Sequence, residues 1–309
     1  MTRNLLLSAL VLVSALGFAG PAHAKFTLGI ADQTTAMFSD SRFQALGVRH
    51  TRVVVPYNVM SDAPSFARYA PVLDAARASG VQTLIAFNHR ANSHRYLPSV
   101  AAYTKEFRAF RKRFPWIKDV SPWNEADHST QPTARSPKAA ARFYNAVRAN
   151  CRGCRIVAAD VLDQRGFESW IKTFRRYAKA PKIWGLHNYA DVNRLRDVSI
   201  PRMRRAAGKG QIWLTETGGI VRLARSWPYD ERRAARSTRH VLRLANRRKV
   251  QRVYLYRWTG EPLGSRWDSG LIAYDGRARP ALNVVEAYLR KPLTPLPPAP
   301  KIPKFPTGA

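Results

Sequence analysis

Acidic residues are scarce in this chain. Its 309 residues hold 20 Asp and Glu against 52 Lys and Arg, a formal charge of +32. Cysteine is scarcer, with two in all. That excludes a disulfide-dense scaffold and a four-cysteine zinc site. The longest apolar run covers residues 5–20, short of the roughly 20 residues that span a bilayer. The first strand-like run ends Gly29-Ile30-Ala31-Asp32-Gln33. It lacks the glycine-rich turn of a dinucleotide-binding sheet. His89, His94 and His128 lie near strand ends, but no H-E-x-x-H spacing is present. No metal and no cofactor is expected. A hydrophobic content of 45% excludes intrinsic disorder, and a mean hydropathy of −0.35 excludes a polytopic membrane protein.

What is present begins with an address. Arg3, the apolar run and Ala22-His23-Ala24 have the charged start, apolar stretch and small-residue exit of a signal peptide. Residues 1–24 are expected to be cleaved, leaving a secreted, extracellular or wall-associated protein with no membrane contact. Residues 291–309 hold seven of the 21 prolines, three lysines and no acid. Such a segment reads as a basic extended tail.

Between these ends the chain alternates. Short β-branched or aromatic runs occur at 26–30, 51–57, 82–87, 120–123, 155–159, 182–187, 211–215 and 252–256. Most are continuously apolar, as in parallel strands covered on both faces. Helical patterns separate them. Ala140, Phe143, Tyr144 and Val147 share one helix face behind a Ser136-Pro137 start. Another helix ends at Gly80, and an Arg-rich one covers 234–248. Eight strand–helix units predict an α/β fold: a (β/α)8 barrel in one domain, residues 25–290.

Barrel sites sit at the C-terminal ends of the strands. Strand four delivers Trp123-Asn124-Glu125, and strand seven delivers Leu214-Thr215-Glu216. Strands four and seven face each other across the mouth, so their carboxylates can converge. Two carboxyl groups about 5 Å apart suit retaining glycoside hydrolysis.

Asn-Glu ending strand four and Glu ending strand seven resembles clan A of the glycoside hydrolases, TIM-barrel enzymes that include β-glucanases, cellulases, β-mannanases and β-xylosidases. The resemblance covers the whole barrel. It implies Glu125 as general acid/base, Glu216 as nucleophile and Asn124 as a hydrogen-bond partner of the sugar 2-OH. Arg52 resembles the clan arginine beside the nucleophile; otherwise it is a strand-start charge facing solvent. His187-Asn188-Tyr189 resembles the clan His-x-Tyr, whose tyrosine contacts the nucleophile; otherwise Tyr189 is a packed aromatic. Trp258, after strand eight, resembles the indole platform under the sugar; otherwise it is a core tryptophan. Ala126 departs from the common Asn-Glu-Pro.

Other positions stay open. Asn88 and His89 line the pocket or form a plain loop. Asp32 and Asp160 bind sugar hydroxyls or cap helices. Trp267 opens a segment that can overhang the cleft. Cys151 and Cys154 fit a local disulfide at a helix-to-strand turn, away from the site. The arginines are scattered over helix faces, as on a solvated surface. Their second use is contact with a polyanionic wall polymer or an acidic polysaccharide. No nucleic-acid motif occurs, and export argues against a nucleic-acid partner. The expectation is a secreted, monomeric, retaining β-glycosidase acting on a poly- or oligosaccharide. The rival is a non-catalytic basic barrel that binds polyanionic glycans.

Overall fold

The computed structural model describes residues 26–91 and 93–290. The signal segment and the Pro-rich tail lie outside the described residues. Eight strands form the barrel: β1 Thr27–Ala31, β2 His50–Pro56, β3 Gln82–Asn88, β4 Asp119–Ser121, β5 Arg155–Leu162, β6 Ile183–His187, β7 Gln211–Thr217 and β8 Arg252–Tyr256. From β2 to β8 each strand pairs in parallel with the next, and β8 pairs in parallel with β1. At the β1–β2 seam the Thr51 hydroxyl donates to the Ile30 carbonyl at 2.8 Å, so the barrel is nearly closed. The strand runs extend beyond the sequence expectation by three residues at β5 and two at β7. The exception is β4, which stops at Ser121. Trp123 leaves the ladder and stacks on Phe143, with ring centroids 5.1 Å apart.

Helices cover the outside, and their starts carry sequence-legible caps. Asp62 accepts from the amide of Ser65 before Ala63–Ala78. Ser99 accepts from Ala102 before Val100–Arg113. Asp230 accepts from Arg233 before Glu231–Arg247. That last helix starts a turn earlier than its apolar pattern suggests, because the cap precedes a charged first turn. The Pro137–Asn150 helix has Ser136 at its cap position but no side-chain cap bond. A left-handed Gly80 follows the Ala63–Ala78 helix, as expected. Cys151 and Cys154 pair as a disulfide at the turn into β5.

The interior is layered. At the strand starts, Asp119 accepts from Arg252 at 2.7 Å and from Arg155 at 2.5 and 2.8 Å. Burial and the two guanidinium charges push His50 beside them down to about 4. Above this floor lie Leu84, Val157, Ile183, Trp213 and Tyr254, a separate apolar cluster inside the barrel. The larger core fills the space between strands and helices.

Two irregularities aim the upper residues. On β5, Val157 pairs with Ile183 but Asp160 pairs with Gly185, three steps against two. On β7, Gly185 pairs with Trp213 but His187 pairs with Glu216. The β7–β8 register slips at the same place. A bulge adds one residue and redirects the side chains after it. Strict alternation from Trp213 would send Thr215 inward and Glu216 outward; the bulged register brings Glu216 to the mouth.

Candidate active site

Arg52 stands at the centre of the mouth, fully buried on β2. One nitrogen, Nη1, donates to Glu216 Oε2 at 2.6 Å. The other, Nη2, donates to Asn124 Oδ1 at 2.5 Å and to Asp160 Oδ2 at 3.2 Å. An arginine with no water around it needs such acceptors, since an unpaired buried charge is very costly. Asp160 is fixed in turn by the hydroxyls of Ser121 at 2.6 Å and Thr215 at 2.7 Å. Gly185 makes this arrangement fit, because a Cβ there would lie 1.8 Å from Asp160 Oδ1.

Glu216 has its second oxygen, Oε1, 3.1 Å from the Tyr189 hydroxyl, which donates to it. Burial first, then the Glu216 charge, raises the Tyr189 phenol well above its ordinary value. The hydroxyl therefore keeps its proton and its role as donor. Asn124 turns its carbonyl to Arg52, which leaves its NH₂ as the end free to donate.

Glu125 is held by its backbone. The Asn124 amide bonds the carbonyl of Phe87 on β3 at 2.7 Å, and the Ala126 amide bonds that of Asp160 on β5 at 2.8 Å. Between these anchors Glu125 has φ +46°. That left-handed conformation is strained for a side-chain residue and is found at functional sites. Its side chain is 23% exposed, and Oε1 lies 3.2 Å from His187 Nδ1. Burial raises the Glu125 pKa, but the His187 hydrogen bond and the charges of His187, His128 and Arg52 outweigh it, so the net shift is downward. Burial lowers His187, but Glu216 and Glu125 outweigh that and raise it. Acid and imidazole thus act as one coupled proton-holding pair. Ligating atoms of Glu125, His187 and Glu216 all lie within 4.8 Å of one another.

These groups open into a cleft of about 680 Å³. Its walls include Tyr189, Tyr256, Trp227 and Trp267, with Arg194 and Glu261 at the rim. Trp267 meets Tyr189 edge-on, ring centroids 5.0 Å apart, and it overhangs the site as its position suggested.

Six of the seven site residues read from sequence therefore come together: Glu125, Glu216, Asn124, Arg52, His187 and Tyr189. Trp258 does not. It is 2% exposed, packs edge-on against Phe43 and donates its indole N–H to Asp40 at 3.2 Å. Tyr256, two residues earlier at the end of β8, lines the cleft in its place. Burial, then the nearby Glu216 charge, pushes its phenol up to about 12. The sequence signal for Tyr256 is its position as the last residue of the strand. Asp32 accepts from Gln33, Thr34 and Thr259 amides and so fixes loops. Asp160 supports Arg52. Asn88 and His89 line a separate cavity of about 400 Å³.

A family model described as the glycosyl hydrolase catalytic core matches residues 99–284. The fold is similar to that of a monomeric β-xylosidase from Caulobacter crescentus, at 17% identity and TM-score 0.62, covering 88% of this chain and 69% of that one. It is also similar to xylanase 10B from Thermotoga maritima, at 13% identity and TM-score 0.59, covering 86% and 95%. A GH30 endoxylanase from Clostridium papyrosolvens has 16% identity and TM-score 0.58, covering 87% and 72%. No curated protein sequence matches the chain significantly.

Proposed function

Because the chain belongs to the glycosyl hydrolase catalytic core family and folds as a (β/α)8 barrel, we propose that it is a clan A glycoside hydrolase that cleaves β-glycosidic bonds of a poly- or oligosaccharide with retention. The observation that carries this reading is that one carboxylate oxygen of Glu125 and one of Glu216 lie within 4.8 Å of each other, which fits the short carboxyl spacing of a retaining pair. Retaining enzymes hold their carboxyls about 5–5.5 Å apart, whereas inverting ones leave room for a water at about 6.5–9.5 Å.

Glu216, with Arg52 and Tyr189 donating to its two oxygens, attacks the anomeric carbon. Glu125 protonates the leaving oxygen. The glycosyl–Glu216 ester is then hydrolysed by a water that Glu125 deprotonates. The NH₂ of Asn124, not used by Arg52, is the donor for the sugar, and the cleft aromatics supply apolar faces for pyranose rings.

Glu216→Ala is expected to abolish hydrolysis. Glu125→Ala should slow it about 10²–10⁴-fold, with much smaller loss on substrates whose leaving group needs no proton. Proton NMR of early product should show the β anomer first. Initial α product, or full activity in Glu216→Ala, refutes the assignment. Glycan binding that survives in a Glu125/Glu216 double variant, with no turnover by the native protein, favours the binding-module reading instead.

We further propose export through residues 1–24. The mass of the protein recovered outside expressing cells should correspond to a chain that begins at Lys25. Retention of residues 1–24 in that material contradicts the proposal.

A further inference from the structure

The catalytic cleft has a neighbour. A cavity of about 760 Å³ opens on the same rim, lined by His94, Arg95, Gln131, Arg135, Gln164 and Arg165 among others. Gln164 lines both cavities. Much of the wall is the chain that continues directly from Glu125, residues 127–135.

The charge in this cavity is one-sided. Arg95, Arg135 and Arg165 come from three different loops, and all three are exposed. Among the described residues none of them is ion-paired with a carboxylate. Elsewhere the scarce acids are matched to arginines, as in Glu168–Arg202 and Asp268–Arg279. The one acid in the cavity wall, Asp127, is turned away from this role. It is buried, and its oxygens accept from the Leu162 amide and the Gln164 side chain, both at 3.0 Å. Gln164 thus fastens Asp127 while forming the sill between the cavities. Guanidinium groups bind carboxylates through paired N–H donors.

We propose that this cavity is a subsite for a uronic acid residue, and that the substrate is an acidic polysaccharide. The proposal rests on the hydrolase reading. Since the wall continues from Glu125, which protonates the leaving oxygen, the charged sugar lies on the leaving-group side of the scissile bond. The three guanidiniums take its carboxylate, and the cleft aromatics take the sugars at the bond itself.

The test compares two ligands with one skeleton: a β-1,4-linked hexaglucuronate and cellohexaose, which differ in carboxylate against hydroxymethyl at each ring. Binding is measured by calorimetry on Glu216→Gln protein. The acidic ligand is expected to bind roughly tenfold tighter or more, the scale of one good charge-assisted contact. Adding Arg95→Gln, Arg135→Gln and Arg165→Gln should bring the two affinities together. A control triple, Arg232→Gln, Arg236→Gln and Arg239→Gln, removes the same charge from exposed positions on the Glu231–Arg247 helix. It should keep the preference. Equal loss in both triples overturns the proposal, because attraction to the whole +32 surface would then account for it. Equal affinity for the two ligands before any arginine is changed overturns it as well. Separately, absence of hydrolysis of any β-glycoside by the native protein sinks the hydrolase reading, while the binding comparison still reads the cavity.

Discussion

The buried arginine explains why so few acids suffice at the site. Arg52 touches Glu216, Asn124 and Asp160 directly, and its Nη2 lies 3.4 Å from His187 Nε2. One side chain thus sets the nucleophile, the sugar-facing amide and the imidazole beside the acid. The coupled Glu125–His187 pair leads to a pH prediction. The pair binds its last proton with the summed affinity of both sites, and His187 is raised above its ordinary 6.5. The alkaline limb of kcat/KM should therefore fall above pH 6.5. His187→Gln keeps a donor toward Glu125 but leaves a single proton site, so the limb should move to lower pH. A pH–rate profile on a chromogenic β-glycoside checks this, and an unmoved limb removes His187 from the proton inventory. Glu125 and Glu216 were legible because each ends an apolar strand in a chain poor in acids; Asn124, Arg52, His187 and Tyr189 were legible through their resemblance to clan A positions. Trp258 and Tyr256 were not distinguishable, because both sit near the end of β8 and only the path of the chain after it separates them.

At the scale of elements, the bulges in β5 and β7 carry the site. They put Asp160 and Glu216 on the inner side of strands whose plain alternation would not. Gly185 on β6 faces Asp160 and Thr215. Its substitution by Ala would drive a methyl into Asp160 Oδ1 and close to Thr215 Oγ1, at 1.8 and 2.7 Å. Overpacking on a fixed barrel wall costs about 3 kcal/mol. Gly185→Ala should lower the melting temperature and, by displacing Asp160 from Arg52, lower kcat in whatever protein remains folded. A variant with native Tm and native kcat would show that Asp160 is free to move. Strand periodicity in the sequence placed the elements well, because parallel strands covered on both faces read as apolar runs. It could not place the bulges, since one extra residue in a ladder leaves no mark in composition or period.

At the scale of the whole molecule, 52 bases face 20 acids, so a net 32 positive charges are not offset by acidic ones. Self-repulsion of this size opposes compaction and is screened by salt. The melting temperature should rise from about 0.01 M to about 0.5 M NaCl, as the Debye length falls from about 30 Å to under 10 Å. A falling or flat Tm would mean that local ion pairs, which salt weakens, outweigh the net repulsion. The same surplus gives the arginine-lined cavity its meaning only through location. Many arginines are exposed, but Arg95, Arg135 and Arg165 share a cavity that borders the catalytic cleft.

By itself the sequence determined the eightfold alternation and the arrival of Asn124-Glu125 and Glu216 at strand ends. These follow from local rules: apolar period and the position of a polar residue just past an apolar run. Only the tertiary structure decided that Glu125 and Glu216 bring carboxylate oxygens within 4.8 Å of each other, that Tyr256 and not Trp258 lines the cleft, and that three arginines from separate loops line one cavity that shares Gln164 with it. Those outcomes depend on barrel closure, on two register slips, and on which loops share a rim. Each is a relation between segments far apart in the chain, and no local pattern encodes it.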